Sequence, residues 1–79
     1  MTIWDRWGWR QQLIMDVLFD LGRYSTIAEI RVSAEDDFQC EIGTTKEIYR
    51  SVERLVDSGD VRKKKSRGYC YYKHPDFGS

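Results

Sequence analysis

The second half of the chain passes from a helical pattern straight into a hairpin pattern, and this continuity limits the folds available to it. Apolar residues from Ile48 to Val56 recur on one stripe, so an amphipathic helix is predicted over 44–58. Ser58-Gly59 ends that pattern. Two strand-length runs follow within 61–73, joined by Ser66-Arg67-Gly68, a short connection typical of a β-hairpin. We therefore expect a helix tied directly to a hairpin within one domain.

Two shorter helical patterns precede this unit. Apolar residues from Leu13 to Leu21 follow the helical period and Gly22 provides a left-handed stop, which predicts a first helix over 10–22. A second helix is predicted over 25–34, with Ser25 or Thr26 as its N-cap.

Two Thr-x-x-Glu patterns mark helix starts. Thr26 is followed three residues later by Glu29, and Thr44 by Glu47, so a capping box is expected at the second and third helices. Either Thr44 or Thr45 can serve as the cap of the third helix.

The segment 33–43 is long and acidic. The carboxylates of 35–37 disfavour a helix C-terminus, so the second helix is expected to end before them. Phe38, Cys40 and Ile42 then alternate with polar residues, which suits a short strand or an extended loop held by Phe38.

Trp4, Trp7 and Trp9 crowd into a Trp-rich arm over 1–9. This segment is expected either to form one more helical turn that packs back on the domain, which is the favoured alternative, or to be a dimer or partner interface. The tail 74–79 is expected to fray.

Charge is divided unequally along a chain whose net charge is zero. Residues 1–43 carry four cations and eight carboxylates, whereas 44–73 carry nine cations and four carboxylates. Five of the six residues from Arg62 to Arg67 are cationic. Such an asymmetry indicates that one surface faces a polyanion.

Little in the sequence indicates catalysis, a metal or a cofactor. Cys40, Cys70 and His74 follow no metal-binding or nucleophile spacing, and no Gly-rich phosphate loop occurs. We expect no enzyme, metal site or cofactor, and two reduced cysteines that pack as small apolar groups. Apolar runs such as Leu13–Met15 are far below the roughly 20 residues that span a bilayer, and charges at 5 and 6 argue against a secretory signal.

The stretch from Thr44 to Lys63 resembles the recognition helix and wing of small winged helix-turn-helix regulators. Leu55, Gly59 and Val61 occupy the places of that family's Leu-x-x-x-Gly-x-Val turn. Arg67-Gly68 stands where the wing tip would be, and 69–72 is similar to the returning strand. The resemblance implies one α+β domain over 1–79, with three helices followed by a two-stranded β-hairpin wing.

The resemblance also implies a binding mode. The third helix would enter the major groove, with Arg50 as the candidate for direct base readout, while the wing neutralises phosphates or reaches the minor groove through Arg67. Lys63 and Lys65 are expected to point to one side of the wing, and Arg62 and Lys64 to the other. The candidate DNA-binding residues are Thr44, Thr45, Lys46, Tyr49, Arg50, Arg54, Arg62, Lys63, Lys64, Lys65 and Arg67.

Each charged element also has a simpler interpretation. In the alternative interpretation, the exposed face of the third helix is an ordinary solvated surface that binds no DNA. Glu53 and Asp57 favour this alternative, because they share the face and would repel phosphates. For the wing, the alternative interpretation is an edge strand whose lysines prevent it from pairing with the edge of another molecule and aggregating.

The leading functional hypothesis is a cytoplasmic transcriptional regulator of viral or prokaryotic type that binds double-stranded DNA as a homodimer. The alternative is a protein-binding winged-helix module that acts as an inhibitor or assembly factor through its acidic face or its Trp-rich arm. RNA binding ranks third, because basic and aromatic residues alternate in the wing without a known RNA-binding motif.

Overall fold

Three helices precede a two-stranded antiparallel hairpin in a computed structural model that describes residues 8–76. This α+β order confirms the predicted fold class and is consistent with a winged-helix layout. The elements are α1 (Trp9–Leu21), α2 (Ile27–Asp36), α3 (Thr45–Asp57), β1 (Arg62–Ser66) and β2 (Tyr69–Lys73). In the described part of the chain, no helix has the length and apolar character needed to cross a membrane.

Both predicted capping boxes are present. At α2 the backbone N–H of Thr26 donates to Glu29 Oε1 over 2.9 Å, and the Glu29 N–H donates to Thr26 Oγ1 over 3.2 Å. The Thr44 N–H and Glu47 exchange the same pair of bonds at α3, over 2.9 and 3.2 Å. Thr44, rather than Thr45, is therefore the cap of α3.

The second helix begins and ends two residues later than predicted, and local pairs offset the charge that disfavours its C-terminus. It ends at Asp36 instead of 34. Arg31 binds Glu35 one turn away over 3.2 Å, and the Ser33 hydroxyl donates to the Asp37 carboxylate over 3.1 Å.

The segment after α2 is an extended loop, not a strand. Phe38 is half-buried against the core, as the sequence predicts for a loop held by that ring. Ile42 is fully buried, and its carbonyl accepts a 2.6 Å hydrogen bond from Arg10 Nε of α1.

One hydrophobic core lies among the three helices and the base of the hairpin. Ile48, Val52 and Leu55 of α3 are fully buried, which confirms the predicted stripe, while Val56 at its border is only partly buried. Tyr72 of β2 is also fully buried. The other core residues are Ile14, Met15, Val17, Leu18, Ile30, Ala34, Ile42 and Val61.

The hairpin has a two-residue turn. Ser66 pairs with Tyr69, so only Arg67 and Gly68 lie between the strands, with φ angles of 51° and 82°. Positive φ at both positions is the geometry of a type I′ turn. On the other side of β2, Ser25 and Tyr72 exchange two backbone hydrogen bonds of 2.8 Å, which ties the hairpin to the start of α2.

Candidate nucleic-acid interface

The exposed face of α3 carries all three cations predicted for the helix. Lys46, Tyr49, Arg50 and Arg54 are exposed, and within residues 8–76 no carboxylate forms an ion pair with any of the three cations. Thr45 is exposed at the first helical position. Among residues 8–76 these three cations are therefore accessible, on a face that also carries the exposed Asp57.

The N-terminus of α3 is occupied by its own capping box. The hydrogen bond from the Thr44 backbone lowers the pKa of Glu47, with Arg10 and Arg50 acting in the same direction through their charge. Thr44 is exposed, but its hydroxyl already accepts the Glu47 N–H. Thr44 therefore serves first as a helix cap.

Arg10 of α1 joins the cationic face of α3, although sequence analysis assigned it no role at this site. Its Nη2 lies 3.4 Å from Glu47 Oε2, and its guanidinium lines a depression of about 220 Å³ together with Arg50, Ser51 and Arg54. Gly43, with φ +117°, allows the approach, because a Cβ there would lie 3.0 to 3.1 Å from Glu47 and Arg10. No local pattern connects positions 10 and 47.

The hairpin separates its charges onto two faces. Cross-strand partners share a face, so Lys63 and Lys65 lie with Tyr72 and Cys70 on what we call the inner face. The opposite, outer face consists of Arg62, Lys64, Ser66, Tyr69, Tyr71 and Lys73. This division agrees with the alternation predicted from the sequence.

A single carboxylate of α3 holds the inner face against the helix. Glu53 Oε2 accepts a 2.7 Å hydrogen bond from the Tyr72 hydroxyl and lies 2.8 Å from Lys63 Nζ. Lys63 is thus occupied within the protein, whereas Lys65 has no ion pair within residues 8–76. Of the two predicted contacts on this face, only Lys65 is open to a ligand.

The three groups shift one another's pKa. Partial burial alone would raise the pKa of Glu53, but the hydrogen bonds from Lys63 and Tyr72 outweigh burial and lower it. The hydrogen bond to Glu53 raises the pKa of Lys63. Burial, followed by the hydrogen bond to Glu53, raises the pKa of Tyr72. The charged pair and the neutral phenol are therefore the favoured states at neutral pH.

We predict that Glu53 contributes a pH-dependent part of the stability. Its pKa is lower in the folded state than the ordinary 4.5, so the contribution is present above that value and is lost as the pH falls through the folded pKa. Glu53→Gln should cost about 1 kcal/mol near neutral pH. The difference from wild type should shrink in acid, as measured by urea unfolding at about pH 7 and about pH 3.5.

The comparison isolates Glu53, because Glu29 and Glu47, whose pKa values are also lowered, are present in both proteins. A stability difference that stays constant over this pH range would show that the Glu53 charge is not what holds the hairpin.

The remaining predicted residues lie apart from this face. Arg67 is exposed at the tip of the hairpin, and Arg62 and Lys64 lie on its outer face. Trp9 is the first residue of α1 rather than part of an arm; it is 48% exposed, and the Arg10 guanidinium lies 4.7 Å from its ring centroid. Trp4 and Trp7 lie outside the described residues.

Cys40, Cys70 and His74 are the residues that were considered for a metal site or a catalytic nucleophile. Cys40 and Cys70 are free and partly buried. The His74 ring packs edge-on against Phe19, with centroids 5.2 Å apart. Within residues 8–76 no three His, Cys, Asp or Glu side chains form a group able to hold a metal ion.

Comparison with known proteins adds no relative. No protein-family model matches the chain, and neither a curated protein nor a solved structure is significantly similar to it.

Proposed function

We propose that the protein is a winged-helix transcriptional regulator that binds double-stranded DNA. In this proposal α3 enters the major groove, and the inner face and tip of the hairpin lie on the adjoining backbone or minor groove. The contacts are made by Thr45, Lys46, Tyr49, Arg50, Arg54, Lys65 and Arg67.

The position of Glu53 carries the proposal. Glu53 and Asp57 share the exposed side of α3 with the cations and would repel phosphates, which is the main objection to a DNA-binding face. Asp57 is exposed at the last helical position, far from Lys46 at the other end. Glu53 instead accepts hydrogen bonds from Lys63 and Tyr72 within the protein, so its charge is offset by Lys63. The neighbouring cations Lys46 and Arg50 are left for a polyanion.

The conformation of the wing tip supports the same proposal. Arg67 has φ 51° in the first position of a type I′ turn, where Asn, Asp or Gly is favoured. Holding an arginine in the left-handed region costs about 1 kcal/mol. A long cation at the most projecting point of the hairpin is suited to reach a phosphate or the minor groove.

Arg50 is proposed as the reader of base edges. It is exposed near the middle of α3, and a guanidinium can bond the O6 and N7 of guanine through two hydrogen bonds. Lys46, one turn closer to the N-terminus, is proposed to contact phosphate.

A cytoplasmic homodimer completes the proposal. One module of this size reads few bases, and a two-fold protein on a two-fold site doubles that number. Trp9 is half-exposed next to the segment that carries Trp4 and Trp7, so these three residues are the proposed dimer interface.

The test is the salt dependence of binding to duplex DNA. Four phosphate contacts, from Lys46, Arg54, Lys65 and Arg67, predict a slope of about −3.6 in a plot of log affinity against log salt, which is a loss of about 150-fold between 50 and 200 mM. Fluorescence anisotropy with a labelled random-sequence duplex measures it. Absence of binding at 50 mM, or affinity that does not change with salt, would contradict the proposal.

A specific observation favours a protein partner as the second candidate function. A depression of about 420 Å³ between the end of α1 and α2 has Leu21, Ala28 and Val32 in its lining, and Val32 is 57% exposed. Its polar lining is Arg23, Glu29, Ser33, Asp36 and Asp37. Salt-insensitive association with a protein, without DNA affinity, would support this function instead.

A further inference from the structure

The outer face of the hairpin, opposite α3, combines cations with tyrosine rings. Lys64, Tyr69, Tyr71 and Lys73 all project from it, and neither strand contains a carboxylate. The backbone bridge between Ser25 and Tyr72 places Tyr24 beside them. The face is therefore positively charged and aromatic along its whole length.

Two ammonium groups converge on one ring of this face. Lys64 Nζ lies 4.8 Å and Lys73 Nζ lies 5.3 Å from the ring centroid of Tyr24. Each is attracted to the ring, but the two like charges repel each other. Within residues 8–76 neither lysine has a carboxylate partner, so an anion placed between them would relieve the repulsion.

The two tyrosines closer to the tip differ in exposure. Tyr69 is 65% exposed and Tyr71 is partly buried on the same side of β2. Residues two apart on a strand are about 7 Å apart. Successive bases stacked in one strand of a duplex are only 3.4 Å apart, about half that distance. Two neighbouring bases can therefore each stack on one of the two rings only if they are no longer stacked on each other.

We propose that the outer face binds single-stranded nucleic acid. Tyr69 and Tyr71 stack on successive unpaired bases, and Lys64 and Lys73, held at Tyr24, bind the phosphates. Cationic grooves with aromatic rings are the general means of binding single strands, because every base has a face that stacks. This site lies opposite the proposed duplex-binding surface and does not depend on it.

The rings distinguish a single strand from the other polyanions that the charge would attract. A duplex offers phosphates but no free base faces, and an acidic protein offers carboxylates without bases. Lysines alone would accept either of them. Exposure of Tyr69 on the same face as the lysines is what favours unpaired nucleotides.

The test is anisotropy with a labelled oligo-dT of about 15 nucleotides at 50 mM salt. Tyr69→Ala combined with Tyr71→Ala should weaken binding about tenfold or more for each ring removed. The matched Tyr69→Phe, Tyr71→Phe protein keeps both rings and should bind as wild type does. Lys64→Gln should make the salt slope shallower by about 0.7.

Two controls separate this site from the proposed function. The double Tyr→Ala protein should keep wild-type affinity for a blunt duplex closed at both ends. Lys46→Ala with Arg50→Ala should lose duplex affinity and keep oligo-dT affinity. Binding of oligo-dT without any duplex binding would leave this inference standing and refute the proposed function.

Three results would overturn the inference. The first is a wild-type protein that does not bind oligo-dT, and the second is a folded Tyr→Ala protein that binds it as tightly as wild type. The third is displacement of oligo-dT by polyglutamate as effectively as by unlabelled oligo-dT at equal charge, which would show that the face recognises charge alone.

Discussion

Replacing Lys46, Arg50, Lys65 and Arg67 by alanine is expected to reduce duplex affinity by at least about a thousandfold at 50 mM salt. When a phosphate contact is lost, the counterions condensed on that phosphate are no longer released on binding. At this salt concentration the loss lowers the affinity about tenfold for each contact. The four residues are exposed and have no ion pair within residues 8–76, so their removal should leave the fold intact. Anisotropy with a labelled duplex measures the loss.

Two double variants divide the effect between helix and hairpin. Lys46→Ala, Arg50→Ala tests α3, and Lys65→Ala, Arg67→Ala tests the inner face and the tip. The hairpin pair should make the salt slope shallower by about two, because both residues are proposed to contact phosphate. The α3 pair should make it shallower by only about one and should alter the sequence preference, because Arg50 is proposed to contact a base.

The chain offers a control of the same charge. Arg23→Ala with Arg31→Ala also removes two cations, but these pair with Glu29 and Glu35 at α2, away from the proposed surface. This protein should keep nearly wild-type duplex affinity. An equal loss in the control would mean that overall charge, and not the surface formed by α3 and the hairpin, determines binding.

Local patterns were sufficient to predict the elements of the fold. The buried stripe of α3 follows from the spacing of Ile48, Val52 and Leu55, and the two capping boxes follow from the Thr-x-x-Glu patterns. Each of these signals joins residues within one turn or along one helix face. The end of α2 was predicted too early, because the effect of its acidic residues was judged without the partners supplied by Arg31 and Ser33.

The long-range contacts of the site were not predictable in the same way. Arg10 contacts Ile42 and Glu47 across 32 and 37 positions, and no spacing rule covers such distances. Alternation correctly separated Lys63 from Lys64, but it did not say which of them faces α3. That choice depends on Tyr72, rather than Tyr71, being the ring in the core.

Tyr72→Ala is expected to have the largest effect on stability of the substitutions considered. The ring is fully buried at the junction of α3, β2 and the start of α2, so removing it should cost about 3 to 5 kcal/mol. A domain of this length has a total stability of roughly 4 to 12 kcal/mol. Thermal unfolding followed by circular dichroism should show a partly or fully unfolded protein near room temperature or slightly above.

The matched change Tyr72→Phe separates the ring from its hydroxyl. It keeps the buried ring and removes only the 2.7 Å hydrogen bond to Glu53, so a loss of about 1 kcal/mol is expected. If Tyr72→Ala lowered the free energy of unfolding no more than Tyr72→Phe does, the hairpin would not be anchored by this ring.

Lys63 should behave as part of the same anchor rather than as a DNA contact. Its ammonium is 2.8 Å from Glu53 Oε2, next to the Tyr72 hydroxyl. Lys63→Ala should therefore lower the unfolding temperature and leave the salt slope of duplex binding almost unchanged. Lys65→Ala should leave the unfolding temperature almost unchanged and make the salt slope shallower. A shallower slope for Lys63→Ala would show that its ammonium leaves Glu53 when DNA binds, so that the carboxylate and the phosphate compete for one cation.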